Sequence, residues 1–140
     1  MPEAPSSTNS AMAVATTALR AQQARMKIIA ENIANADSTA TTPGGDPYQR
    51  QSPVFQPQRR SMGATGVLMT GARADTSAFK SEYEPGNPAA DAKGYVKKPN
   101  VDPLVEALDM RAAQRAYEAN LSVIETARST QSRTLDILKK

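Results

Sequence analysis

Residues 8–36 read TNSAMAVATTALRAQQARMKIIAENIANA and contain neither glycine nor proline. Apolar residues and alanine recur there at spacings of three and four, which predicts an amphipathic helix with a heptad-like seam. The seam consists of Met12, Ala15, Leu19, Gln22, Met26, Ile29 and Ile33. Alanine also occupies positions outside the seam, so neighbouring helices could approach this helix from several sides.

Residues 104–138 form a second stretch without a helix breaker. Asp102 and Pro103 precede it as an N-cap and a proline at the first helical position. Its apolar stripe changes face along the helix. One side carries Val101, Leu104, Val105, Leu108 and Ala112, and the opposite side later carries Met110, Ala113, Tyr117, Leu121, Ile124, Leu135 and Leu138. We expect its start to pack on the middle of the chain and its remainder on other helices.

The middle of the chain holds all seven glycines, between Gly44 and Gly94. Residues 42–47 have turn chemistry, and residues 53–55, 67–70 and 78–83 are candidates for extended structure. The predicted fold class is therefore mainly α. Two long terminal helices would pair as a coiled-coil-like hairpin, with an irregular loop or small β insert between them. The predicted segments are an N-terminal helix in 1–36, an insert in 37–100 and a C-terminal helix in 101–140.

The composition argues against catalysis. There is no cysteine and no histidine, so the chain lacks a thiol nucleophile, a disulfide framework and the commonest general base and metal ligand. No phosphate-binding loop is present, because the glycines of 44–45 are not followed by the lysine of that motif. We predict no enzymatic activity, no cofactor, no metal and no small-molecule substrate.

Charge and hydropathy argue against nucleic acid as a partner and against a chain that spans a membrane. Net charge is only +3 and adjacent basic residues occur as pairs, which disfavours a nucleic-acid binder. No apolar run approaches the roughly 18 residues of a membrane helix, so we expect a chain that does not span the membrane. The first residues include Pro2, Glu3 and Pro5, unlike a cleavable secretory signal. We expect a cytoplasmic protein or one exported without such a signal.

Two stretches resemble the flagellar rod and hook proteins. Residues 18–23 (ALRAQQ), Met26 and residues 29–36 (IAENIANA) resemble the N-terminal signature of that family, centred on A-x-N-I-A-N. Residues 94–102 (GYVKKPNVD) and 115–120 (RAYEAN) resemble the C-terminal region of its proximal-rod members. Tyr48–Arg50 follows the inserted 42–47 turn, as in that branch. Residues 17–19 read TAL where S-G-L is usual, and 58–92 match nothing.

The resemblance implies a structural subunit of the proximal rod of the bacterial flagellar basal body, a motility protein. Subunits of this axial family would polymerise helically into a drive shaft and export channel. Expected partners are other copies, neighbouring rod proteins (FliE, FlgB and FlgF-like proteins) and, in transit, the flagellar type III export apparatus. The expected location is the rod, in the periplasm, after leaderless export.

Several residues are candidates for the helix-packing or assembly interface. On the first helix they are Met12, Leu19, Met26, Ile29 and Ile33, and on the second Tyr117, Leu121, Ile124, Leu135 and Leu138. Arg25 and Arg128 are candidates for subunit-bridging charges, and Asn32 and Asn35 fall in the family motif.

Most of these candidates have a plainer alternative. The apolar residues could be ordinary core, Arg25 a snorkelling side chain, Arg128 a residue at the solvent-exposed edge of the seam and Asn35 a helix terminator. For the whole chain, the rival functions are a cytosolic helical adaptor or chaperone-like module, and a basic nucleic-acid binder.

Overall fold

The computed structural model describes residues 7–60 and 63–139, so Pro2, Glu3, Pro5 and Lys140 lie outside the described residues. Helix α1 spans Ser7–Ala34 and helix α2 spans Pro103–Leu138. The predicted helices at 8–36 and 104–138 therefore exist with nearly the predicted bounds. At the start of α2, Asp102 Oδ1 accepts the backbone N–H of Leu104 at 3.0 Å, which confirms the predicted N-cap.

Four strands lie between the helices: β1 (Gln51–Arg59), β2 (Thr65–Ala74), β3 (Lys80–Tyr83) and β4 (Tyr95–Lys98). Strands β1 and β2 form one two-stranded sheet. Strands β3 and β4 form an antiparallel pair in which Lys80 lies opposite Lys98, and Tyr83 opposite Tyr95. The small β insert was predicted; β1 and β2 are longer than the extended candidates, and β4 was not predicted.

The chain forms two compact units, and both long helices contribute to each. Within the described chain, unit 1 comprises residues 7–26, 54–71 and 112–139, and unit 2 comprises residues 27–53 and 72–111.

Unit 1 buries small side chains. Its buried apolar residues are Ala15, Ala21, Ala113 and Ala127. Thr17 is also buried; its hydroxyl donates to the Val14 carbonyl (2.7 Å) and accepts the Val67 N–H (3.2 Å). Gly66 lies so close that an added Cβ would stand 2.5 Å from Thr17 Oγ1. The backbone of β2 therefore packs directly on α1, at a position that only glycine fits.

Unit 2 buries larger apolar residues together with polar ones. Ile28, Ile29, Val96 and Val101 are buried, and so are Asn32 and Glu106. The hairpin of β3 and β4 closes through Gly94, whose φ of 83° lies in the left-handed region that favours glycine. Tyr83 and Tyr95 stack edge-to-face at the end of this hairpin, with ring centroids 5.3 Å apart.

The first turns of α2 differ from the prediction. Leu104, Val105 and Leu108 are 70%, 46% and 57% exposed, whereas Glu106 is fully buried. Of the early apolar stripe, Val101 is buried as expected. The face of α2 that packs on the middle of the chain is thus centred on Glu106, because that carboxylate pairs with Arg50. The apolar stripe is consequently turned outward.

Candidate functional site: a buried polar junction and exposed assembly residues

Asn32 lies two residues before the end of α1, and both polar atoms of its side-chain amide form hydrogen bonds inside unit 2. Its Nδ2 donates to the Gln51 carbonyl (2.9 Å) and to Glu106 Oε2 (3.1 Å). Its Oδ1 accepts the Gln51 N–H and the Tyr48 hydroxyl, both at 2.9 Å. Because only 1% of Asn32 is exposed, all four bonds replace water that the amide has lost. Asn32 thereby joins α1, the 48–51 segment and α2.

Glu106 supplies the charge at the centre of this arrangement. Its Oε1 lies 2.5 Å from Arg50 Nε, and its side chain has no exposed surface. The Arg50 guanidinium also reaches Asp75 Oδ2 at 3.6 Å and Asp109 Oδ2 at 3.7 Å. Losing one partner of a buried ion pair typically destabilises a protein by about 3–5 kcal/mol. Arg50 and Glu106 therefore depend on each other to stay in place.

Asn100 extends the arrangement toward the segment after β2. Its Oδ1 accepts the Arg50 N–H (2.8 Å), and its Nδ2 donates to the Asp75 carbonyl (2.9 Å) and to Ser77 Oγ (3.0 Å). We name the set the Asn32 junction: it consists of Asn32, Tyr48, Arg50, Gln51, Asn100 and Glu106. The junction fixes the end of α1 and the start of α2 on the middle of the chain.

Two pKa shifts accompany the junction. Burial raises the pKa of the Tyr48 hydroxyl, and the negative charges of Glu31 and Glu106 raise it further. The pKa of Asp75 is lowered, first by the Ser77 N–H and hydroxyl that it accepts and then by Arg50. Tyr48 therefore stays a neutral donor to Asn32, and Asp75 stays ionised beside Arg50.

Asn35 ends α1 instead of joining the junction. Its backbone N–H and its Nδ2 both donate to the Glu31 carbonyl, at 3.1 and 2.8 Å. Its Oδ1 accepts the Ser38 hydroxyl at 3.1 Å. These contacts lie in the last turn of α1 and the turn that follows it, in agreement with the helix-terminator alternative.

The predicted interface residues fall in both units. Ile29, Asn32, Ile33 and Asn35 lie in unit 2, and the others, from Met12 to Met26 and from Tyr117 to Leu138, lie in unit 1. Ile29 and Asn32 are buried; Met12, Leu19, Arg25, Met26, Asn35, Tyr117 and Ile124 are half-buried; Ile33, Leu121, Arg128, Leu135 and Leu138 are exposed. Ile29 and Ile33 thus do not share a unit with the residues predicted on the second helix. In unit 2 the buried residues of α1 are Ile28, Ile29 and Asn32. Of these, Ile29 belongs to the predicted seam, whereas Ile28 and Asn32 each lie one residue before a seam position.

Glu106, Arg50 and Asn100 were not predicted as site residues. An acidic residue in the first turn of a helix is favoured by the helix dipole whether or not it is buried, so nothing in the sequence singled out Glu106. Arg50 and Asn100 lie within the resembling stretches at 48–50 and 94–102, which was the one available signal. Nothing in local spacing could pair residues that stand 56 apart in the chain, as Arg50 and Glu106 do.

Among the described residues, no group of three or more acidic, histidine or cysteine side chains could hold a metal ion. Within the same residues, neither helix is long and apolar enough to cross a membrane.

Long helices with exposed large apolar side chains, fixed at one end by a buried polar junction, are typical of a structural protein that contacts other chains. Two family models match the two ends. Residues 12–40 match the model described as "Flagella basal body rod protein". Residues 92–137 match "Flagellar basal body rod FlgEFG protein C-terminal".

Curated relatives match nearly the whole chain, and each is described as flagellar basal-body rod protein FlgC. The Agrobacterium fabrum protein is 45% identical over 132 residues, covering 94% of this chain and 95% of the relative. The Escherichia coli O157:H7 protein is 44% identical, covering 89% and 92%. The Bacillus subtilis protein is 34% identical, covering 90% and 95%. The chain belongs to the FlgC family of flagellar basal-body rod proteins.

Family membership confirms the resemblance found in the two terminal stretches. It also confirms that the chain is a structural subunit of the basal-body rod and not an enzyme.

Proposed function

We propose that this subunit polymerises helically, with copies of itself and with neighbouring rod subunits, into a drive shaft that encloses an export channel. In that assembly α1 and α2 pair as a coiled-coil-like inner domain, and their apolar side chains meet those of adjacent subunits. Different surface patches meet in such a contact, so the array need not close on itself.

This proposal rests on the difference between the small apolar side chains that unit 1 buries and the large ones that it exposes. Its buried apolar residues are alanines, while Leu121, Val123, Leu135, Ile137 and Leu138 are 39–77% exposed. Burying a large apolar side chain contributes roughly 1.5–3 kcal/mol. Neighbouring subunits that cover these side chains would therefore supply stability that the isolated unit lacks.

The proposed neighbours are FliE, FlgB and FlgF-like rod proteins, with the flagellar type III export apparatus as a partner in transit. The proposed location is the periplasmic part of the rod, reached by leaderless export. Arg25 and Arg128 are proposed to bridge subunits. Arg128 supports this role because it is exposed and makes no ion pair within the described part of the chain.

Quantitative mass spectrometry of purified hook–basal bodies tests the proposal, with the cytosolic fraction of the same cells as the comparison. We expect stoichiometric, detergent-resistant recovery in the basal bodies, lost when flagellar export is disabled. Lysine cross-linking of the same particles should join the chain to FlgB and FlgF-like neighbours. Recovery only from the cytosol of flagellated cells would instead favour the helical adaptor.

A further inference from the structure

We propose that the exposed apolar start of α2 is a docking surface for the C-terminal end of α2 from a second copy of this chain. The inference rests on the proposed helical polymerisation and names two of the surfaces that would carry it. We define the acceptor patch as Leu104, Val105 and Leu108, and the donor end as Leu135, Leu138 and Lys139.

The acceptor patch is an uncovered helix ridge. Leu104 and Leu108 are four residues apart and therefore lie on one face of α2, with Val105 beside them. All three are exposed, because the opposite face of the same turns is held against the chain by Glu106. The Asn32 junction thus holds these apolar side chains toward the outside of unit 2.

The donor end has a matching ridge. Leu135 and Leu138 are three residues apart, so they share a face, and they are 53% and 77% exposed. A ridge spaced by three packs into the groove between residues spaced by four, which is a common way for two helices to cross. Since both ridges belong to one continuous helix, the end cannot fold back onto its own start, and the contact must join two copies.

Charge supports the same pairing. Residues 101–110 contain three acidic residues, Asp102, Glu106 and Asp109, and no basic one. Arg50 pairs with Glu106 and also lies 3.7 Å from Asp109; Asp102 and Asp109 are partly exposed beside the acceptor patch. Residues 128–140 contain four basic residues and one acidic residue. A basic, apolar end therefore complements an acidic, apolar start, which selects a head-to-tail contact over a contact between two identical patches.

A cysteine cross-link tests this contact without background, because the chain has no cysteine of its own. The variant carries Ala107→Cys beside the acceptor patch and Thr134→Cys beside the donor end; both positions are exposed. A short bis-maleimide is applied to purified hook–basal bodies. A head-to-tail contact gives dimers and higher multimers of the chain, since each copy is linked to two others, whereas each single-cysteine variant stays monomeric.

Two controls define the surface. Leu108→Ser in the double-cysteine chain should abolish the multimers, whereas Phe55→Ser, an exposed apolar position on β1 outside both patches, should leave them. Lys139→Glu should lower the multimer yield about threefold and Lys139→Arg should not, as for an ion pair at a surface.

Several results would overturn the inference. They are basal bodies that contain the double-cysteine chain but show no multimers, dimers from Ala107→Cys alone, and cross-links to a different protein. Swimming and recovery of the variant before cross-linking are scored separately. A chain that enters the rod without forming multimers contradicts this contact alone, while an unmodified chain absent from the rod contradicts the proposed function.

Discussion

At the scale of single residues, the two asparagines of the A-x-N-I-A-N motif have different structural roles. Asn32 bonds to residues that are 16, 19 and 74 positions away, inside the folded unit. Among the residues that the structure describes, Asn35 bonds only within the last turn of α1 and to Ser38. One motif therefore contains a tertiary contact and a local helix end, three residues apart.

Replacing Asn32 with alanine should destabilise unit 2 strongly. The change leaves the Gln51 N–H, the Tyr48 hydroxyl and Glu106 Oε2 each without one partner, and a buried polar group without its partner loses about 1–3 kcal/mol. Asn35→Ala is the matched control, with an expected loss of about 0.5–1.5 kcal/mol. Hydrogen exchange at the Gln51 amide, with urea unfolding for the total, measures both variants. Equal losses from the two variants would show that Asn32 has no special tertiary role.

The residue scale is also where sequence reasoning was least complete. The A-x-N-I-A-N motif pointed to Asn32. It did not point to Glu106, the fully buried acid in the first turn of α2 that accepts a hydrogen bond from Asn32. An acid there is favoured by the helix dipole whether or not it is buried. Only the fold, by bringing Arg50 against α2, distinguishes the two cases.

At the scale of elements, the helices and most of the strands could be predicted, whereas the contacts between elements could not. The absence of glycine and proline from 8–36 and 104–138 defined α1 and α2, because breakers are strongly disfavoured inside helices. The exposure of Leu104, Val105 and Leu108 could not be predicted, since a hydrophobic stripe does not tell whether its own chain or another chain covers it.

Gly66 lies where β2 packs on α1, and Gly71 of the same strand provides a matched control for its substitution. Gly66→Ala places a Cβ 2.5 Å from Thr17 Oγ1, so the strand must shift, which should destabilise unit 1 by about 1–3 kcal/mol. Gly71 also lies in β2, but its Cβ would meet nothing within 4 Å. We expect Gly71→Ala to change stability by less than about 0.5 kcal/mol. Thermal unfolding compares the two, and combining Gly66→Ala with Thr17→Ala should restore part of the loss.

The hairpin of β3 and β4 should open locally in acid. The pKa of Glu84 is lowered by Lys98 and Asn87, and that of Asp91 by the backbone N–H groups of Tyr95 and Lys93. Because both pKa values are lowered, the two carboxylates stabilise the folded hairpin when the pH is above their ordinary pKa values of 4.5 and 3.8. This stabilisation is lost as the pH falls through the lowered pKa values of the folded state.

Lys98 behaves in the opposite sense. Its pKa is raised by Glu84, so its contribution to the stability of the folded hairpin is present below pH 10.5 and is lost as pH rises through the folded value.

Amide exchange at Tyr95, whose N–H donates to Asp91 at 2.9 Å, measures the opening of the hairpin in acid. Asp91→Asn keeps the acceptor but removes its titration, and should therefore weaken the acid dependence. An unchanged acid dependence in this variant would exclude Asp91 as its source.

At the scale of the whole molecule, the chain is a rod subunit whose two units have cores of different composition. Unit 2 has a polar junction and an isoleucine- and valine-containing core, whereas unit 1 buries mainly alanine. The low aromatic content of 4% and the abundant alanine agree with the small side chains that unit 1 buries. The sequence could not show which unit would carry the larger core.

A charge at Ile124 should stop rod assembly without preventing production of the protein. Ile124 lies at the centre of the predicted stripe on α2 and is half-buried in the single chain. A neighbouring helix that covers the same side would have to bury an unpaired aspartate, which is strongly unfavourable. Ile124→Asp should therefore be expressed but absent from purified basal bodies, and the cells should not swim. Ser129→Asp, at an exposed position on the same helix, is the control. Normal swimming with Ile124→Asp would exclude this side of α2 from the interface.

The Asn32 junction also has a consequence for the order of folding. Asn32 and Glu106 are 74 residues apart, and a ribosome has made about three quarters of the chain before Glu106 exists. Until then the amide of Asn32 lacks its carboxylate and Arg50 lacks its buried counter-charge. Closing so long a loop is also slower than forming local turns. Unit 2 is therefore completed late in synthesis, and a nascent chain that stops short of α2 leaves this part of the molecule open.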